Sequence, residues 1–195
     1  IMRSNPAFAG AEIFQYDYLN DDVTDFGEID YTVSNKLPQA LRQAIADARD
    51  GKKGAKPILV LINPPYAEGG KGVDKRKGKK GVSSTKVRFL GDDRDYGHAF
   101  RELFVQFLIR IRQELPNSEI AMFSTLKYIN APNFEKFRDH WKASYLGGFV
   151  VHNKAFENLQ GNFPIGFLIW NLGKSEPIEV VHTIALDKFG NQFDE

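Results

Sequence analysis

The chain has no cysteine, and only two methionines and two tryptophans, among 195 residues. Without thiols it can form no disulfide framework, no thiolate metal site and no cysteine nucleophile, a composition that fits a reducing cytoplasm. It has no apolar run near the roughly 18–20 residues that span a bilayer and no signal-peptide pattern, so no membrane partner is expected. The four histidines, His98, His140, His152 and His182, show no metal-ligand spacing, and no metal site is expected. A phosphate-binding P-loop and a Gly-x-Ser-x-Gly nucleophile elbow are also missing. The chain opens Ile1-Met2, which reads as a fragment or a trimmed start.

Hydrophobic residues make up 42% of the chain. That supports one domain with a real core and argues against two. The net charge of +1 hides an asymmetry. Between Lys71 and Arg88 stand eight Lys or Arg (Lys71, Lys75, Arg76, Lys77, Lys79, Lys80, Lys86 and Arg88) against the single acid Asp74, a local charge of +7 that leaves −6 to the rest. A basic stretch on an otherwise acidic chain implies a polyanionic partner at one place; a solvated, flexible loop is the plainer alternative.

The hydropathy pattern predicts a strand over 11–16, a helix from Lys36 to Arg49, and a strand over 57–62 whose continuous Ile-Leu-Val-Leu-Ile run reads as buried on both faces. Residues 67–95 lack an apolar period and read as one long basic loop. A helix over 96–115 follows, with Phe100, Leu103, Phe104, Phe107, Leu108, Ile111 and Leu115 on one face. Next come a strand over 119–123 and a helix from about Pro132, with Phe134, Phe137, Trp141 and Tyr145 aligned. Strands over 149–152, 165–170 and 178–184 complete the chain. Such alternation with a strand-rich end predicts an α/β fold: a mostly parallel sheet, helices on both faces and an antiparallel C-terminal edge.

Asn63-Pro64-Pro65-Tyr66 follows the most apolar strand directly, at the sheet edge where open α/β folds bind ligands. Two prolines fix two φ angles and remove two N–H donors, and the first also restricts Asn63. The loop is therefore stiff and rich in acceptors: the Asn63 side-chain carbonyl and the backbone carbonyls of the prolines. Tyr66 adds a flat ring. A rigid acceptor cluster beside an aromatic plate suits an exocyclic amino group on a planar ring. With both N–H bonds held, the nitrogen lone pair can leave conjugation and attack an electrophilic methyl group, catalysed by positioning and preorganised electrostatics. A proline-stiffened turn with no chemistry is the bland alternative.

On these residues the sequence resembles the amino-methyltransferases with an Asn-Pro-Pro-Tyr motif, and most of all the adenine-N6 DNA methyltransferases of bacterial restriction-modification systems. The resemblance runs from about residue 11 to 172 and implies a Rossmann-like methyltransferase fold. It implies that Asn63 and the Pro64 carbonyl hold the target amino group of a flipped base and that Tyr66 stacks on it. It also implies that S-adenosyl-L-methionine is the cofactor, contacted by Asp17 in Tyr16-Asp17-Tyr18-Leu19 with Tyr18 beside it. Phe156 resembles the late-motif aromatic that packs on the other side of the base. Lys75, Arg76, Lys77, Lys79 and Lys80 would contact phosphates of the DNA partner, and other restriction-modification subunits are implied as further partners. The family's glycine-rich cofactor loop has no counterpart, since residues 1–10 hold only Gly10. The acidic ribose-binding residue of the family has none either. The chain thus reads as a single, partial catalytic domain over 1–195 with its N-terminal strands missing. Three alternatives stay open: the same chemistry on RNA guanine N2, the same chemistry on a protein glutamine, and a non-catalytic DNA-binding fragment.

Overall fold

The computed structural model describes residues 5–66, 85–156, 161–176 and 179–194. Lys75, Arg76, Lys77, Lys79 and Lys80 lie outside the described residues. Six strands form one sheet: β1 (Leu59–Ile62), β2 (Glu119–Thr125), β3 (Ser144–His152), β4 (Pro164–Asn171), β5 (Ile184–Leu186) and β6 (Gln192–Asp194), in the order β1-β2-β4-β3-β5-β6. The β1–β2 and β3–β5 pairs are parallel and the others antiparallel. Hence β1, β2, β3 and β5 run one way, β4 returns between β2 and β3, and β6 gives the expected antiparallel edge. This is the mixed α/β, Rossmann-like sheet that the sequence predicts.

The helices are α1 (Gln39–Arg49), α2 (Asp93–Tyr96), α3 (Leu103–Glu114), α4 (Lys127–Asn130) and α5 (Glu135–Trp141). Gly51, at φ +63°, ends α1 in the left-handed conformation that glycine adopts without a Cβ penalty. α3 is buried on most sides, with Phe104, Val105, Leu108, Ile109 and Ile111 in the core and the polar Gln106, Arg110 and Glu114 buried as well. Together with Phe134, Phe137 and Trp141 it packs on the sheet face formed by Ile120, Met122, Leu168 and Trp170. The Trp170 indole N–H donates to the Tyr128 hydroxyl at 3.0 Å, satisfying a polar group inside this aromatic core. No helix among the described residues is long and apolar enough to cross a membrane.

Five sequence expectations are corrected. The last strand, expected over 178–184, lies instead at Ile184–Leu186, and another follows at Gln192–Asp194. Residues 11–16 pair with no strand among the described residues; Tyr16 turns its hydroxyl to Arg110 on α3. β1 is not buried on both faces, because Leu59 and Leu61 are 63% and 69% exposed at the sheet's edge. The helix expected from residue 96 begins as a 3₁₀ turn over Gly97–Arg101 and becomes α-helical only at Leu103. Tyr145 is on β3, since Lys142 ends α5 in the left-handed region at φ 36°.

Candidate functional site

The carboxyl ends of β1, β2, β3 and β5 and the start of β4 define one edge of the sheet. Asn63 leaves β1 at that edge. Pro64 is buried, Asn63 and Pro65 are exposed and Tyr66 is half-buried. The buried proline anchors the loop while its neighbours stay open to solvent. The Tyr66 hydroxyl donates to Asn63 Oδ1 at 2.9 Å. Burial pushes the Tyr66 phenol up to about 12, so it remains a neutral donor at physiological pH.

Tyr66 borders a cavity of about 550 Å³, large enough for a nucleobase. Phe163 and Pro164, at the start of β4, form another part of its wall. Thr125 and Lys127, from the end of β2 and the first residue of α4, line it together with Glu102 and Asn130. Lys127 Nζ lies 2.7 Å from Glu102 Oε1; the Lys127 side chain is half-exposed, whereas that of Glu102 is only 8% exposed. Thr125 Oγ1 is buried and has no hydrogen-bond partner among the described residues. A second cavity of about 490 Å³ shares Phe163 and Pro164 and continues along the same edge to Leu186 and Phe193.

Phe156 is placed elsewhere. It follows β3 and sits edge-on to Phe123, with ring centroids 5.5 Å apart, in a cluster with Phe149 and Phe167. It does not line the cavity that Tyr66 borders; Phe163 does.

Asp17 and Tyr18 belong to a different construction. The exposed Asp17 carboxylate accepts from the Leu19 backbone N–H at 3.2 Å and from Asn20 Nδ2 at 2.8 Å, building a local turn. The Tyr18 ring stacks on Phe107 at 5.6 Å and carries the Arg110 guanidinium 4.3 Å from its centroid, while its hydroxyl donates to Glu114. Arg110 is fully buried. It donates to the Tyr18 and Asp21 carbonyls and to the Tyr16 hydroxyl, and pairs with Glu114 at 3.3 Å. Burial opposes its charge, but Glu114 and the tyrosines outweigh burial and raise its pKa further. Tyr31 closes the network by donating to the other Glu114 oxygen at 2.6 Å. Tyr18 is thus held through its ring by Phe107 and Arg110 and at its hydroxyl by Glu114, and Asp17 satisfies its own turn. The pair fits poorly as a cofactor site.

Sequence reasoning found the loop after β1 but missed Phe163, the Glu102–Lys127 pair and the Arg110–Glu114 pair. The last had a visible signal, since two opposite charges stand four residues apart on an otherwise apolar helix.

No protein-family model matches the chain, and no curated protein does. Among solved structures it is similar to a protein described as a modification subunit of a type I restriction enzyme from Vibrio vulnificus YJ016, with 12% identity and a TM-score of 0.40, over 66% of this chain and 25% of that one. It is also similar to the protein of the DrdV–DNA complex, with 14% identity and a TM-score of 0.41, over 71% of this chain and 15% of that one. A third likeness is to the ATP-dependent Type ISP restriction-modification enzyme LlaBIII bound to DNA, with 12% identity and a TM-score of 0.45, over 89% of this chain and 12% of that one. The chain therefore spans a quarter or less of the length of each of these three chains.

Proposed function

We propose that this chain carries the target-base half of an S-adenosyl-L-methionine-dependent amino-methyltransferase acting on adenine N6 in DNA, as part of a restriction-modification protein. One observation carries the reading. The stiff acceptor loop Asn63–Tyr66 stands at the carboxyl edge of the sheet beside a base-sized cavity with Tyr66 and Phe163 in its walls. The Asn63 side-chain carbonyl and the Pro64 carbonyl accept the two amino N–H bonds and free the nitrogen lone pair. Tyr66 fixes the plane of the base, which has to leave the duplex to be reached. The contribution of these residues is positioning and electrostatic preorganisation. The basic residues of the 71–88 segment hold the phosphates around the flipped base.

A second reading, nucleic-acid binding without catalysis, is favoured by the commitment of Tyr18 to Arg110 and Phe107. Incubation of the complete restriction-modification protein that carries this chain with methyl-labelled S-adenosylmethionine and separate DNA, RNA and protein acceptors decides between them. The first reading expects N6-methyladenine in DNA, lost in Asn63→Ala. DNA binding with no methyl transfer to any acceptor supports the second.

A further inference from the structure

The loop that begins at Asn63 leaves a chemical demand on the opposite side of any base it holds. Its prolines have no N–H, so the loop, which borders the cavity through Tyr66, offers mainly acceptors. Adenine presents donors only at its amino group; its ring nitrogens N1, N3 and N7 are acceptors. A pocket that holds such a base by its amino group alone leaves those ring acceptors buried and unpaired, which is costly.

Other residues of the cavity lining supply the matching donors. Lys127 and Asn130 both line the cavity that Tyr66 borders. An ammonium has three donors and no acceptor, and the Lys127 ammonium has one ion-pair contact with Glu102, at 2.7 Å. Glu102 is nearly buried at the N-terminal end of α3, so it tethers the otherwise flexible lysine at the cavity wall. Two donors remain. Thr125 Oγ1, shielded and without a partner among the described residues, lies in the same wall. A buried hydroxyl without a partner calls for such a role.

We propose that Lys127, held in place by Glu102, is a specificity-determining residue that donates a hydrogen bond to a ring nitrogen of the target base. This inference rests on the amino-base reading of the Asn63 loop. Acceptors from the loop and donors from the cavity lining select a ring with an amino group and ring acceptors. A base with a carbonyl in place of the amino group sets oxygen against the oxygens of Asn63 and Pro64 and is rejected. Glu102 is a positioning residue.

The test is a double-mutant cycle. The full chain and its Lys127→Met variant are titrated with 2′-deoxyadenosine and with its 1-deaza, 3-deaza and 7-deaza forms, each of which replaces one ring nitrogen by C–H. Binding is followed by NMR at Tyr66, Thr125 and Phe163. The native chain is expected to bind one deaza form about tenfold or more weakly, the effect of losing a charge-assisted hydrogen bond. In Lys127→Met that penalty disappears, and in Glu102→Gln it shrinks. Lys127 is half-exposed, and thermal melts check that both variants fold. If Lys127→Met keeps the full penalty, the role of Lys127 is overturned while the amino-base reading stands. If no nucleoside shifts Tyr66 or Phe163, the amino-base reading itself fails, and this inference with it.

Discussion

The Tyr66 hydroxyl donates to Asn63 Oδ1 at 2.9 Å, so the side-chain acceptor proposed for the target amine is already engaged by its own loop. A bound amine has to take the second lone pair of this oxygen or displace the contact. Tyr66→Phe frees the acceptor and keeps the ring. It is expected to cost about 1 kcal/mol of stability or less and to leave base affinity equal or higher. Tyr66→Ala removes the plate and is expected to cost about 1–3 kcal/mol of base binding. Parallel denaturation and base titrations check both. Equal losses in the two variants would show that the hydroxyl, and not the ring, holds the base.

Arg110 joins α3 to the segment from Tyr16 to Asp22 through one buried guanidinium. Arg110→Met leaves Glu114 buried without its cation. A broken buried ion pair typically costs about 3–5 kcal/mol, and a loss of that size is expected in chemical denaturation. Tyr31→Phe removes a single hydrogen bond to Glu114 and is expected to cost about 1–2 kcal/mol. A loss below about 1 kcal/mol for Arg110→Met would contradict the latch.

Alkali tests the tyrosines. Burial is the largest cause raising the phenols of Tyr16, Tyr18, Tyr31 and Tyr66 above their ordinary value, and carboxylates add to it at the first three. Above about pH 10 the unfolded chain loses phenolic protons that the folded chain retains. The unfolded state then binds fewer protons, so stability falls as pH rises. Thermal melts are expected to show no contribution from these groups below about pH 9 and a decline from about pH 10 toward 12. Tyrosinate absorbance of the native protein should lag behind that of the unfolded chain. Coincident titrations would contradict the burial.

The sequence made legible what depends on local period. α3 and β4 stand out because their apolar residues recur at 3.6 or run continuously. The Asn63–Tyr66 loop stands out because two prolines and an asparagine follow an apolar strand directly. Long-range partners were not legible. Tyr16 and Tyr18 alternate like a strand, yet they serve an arginine about ninety residues later. The run from Leu59 to Ile62 has no sequence mark to show that Leu59 and Leu61 face solvent. Tyr145 keeps the helical spacing from Trp141 and still belongs to β3, because one left-handed residue at Lys142 intervenes. Glu102 and Lys127 are joined only by the fold.

Methyl transfer to DNA by the complete restriction-modification protein that carries this chain, native and as Asn63→Ala, tests the central claim most directly. The measurement is the yield of N6-methyladenine in DNA digested to nucleosides. The native protein is expected to produce it, and Asn63→Ala, with normal melting, to lose it by about a hundredfold or more, as when a preorganised acceptor or donor is removed from a reaction centre. N6-methyladenine formed equally by both proteins, or label found only in protein or RNA, would contradict the assignment of the Asn63 loop to adenine N6.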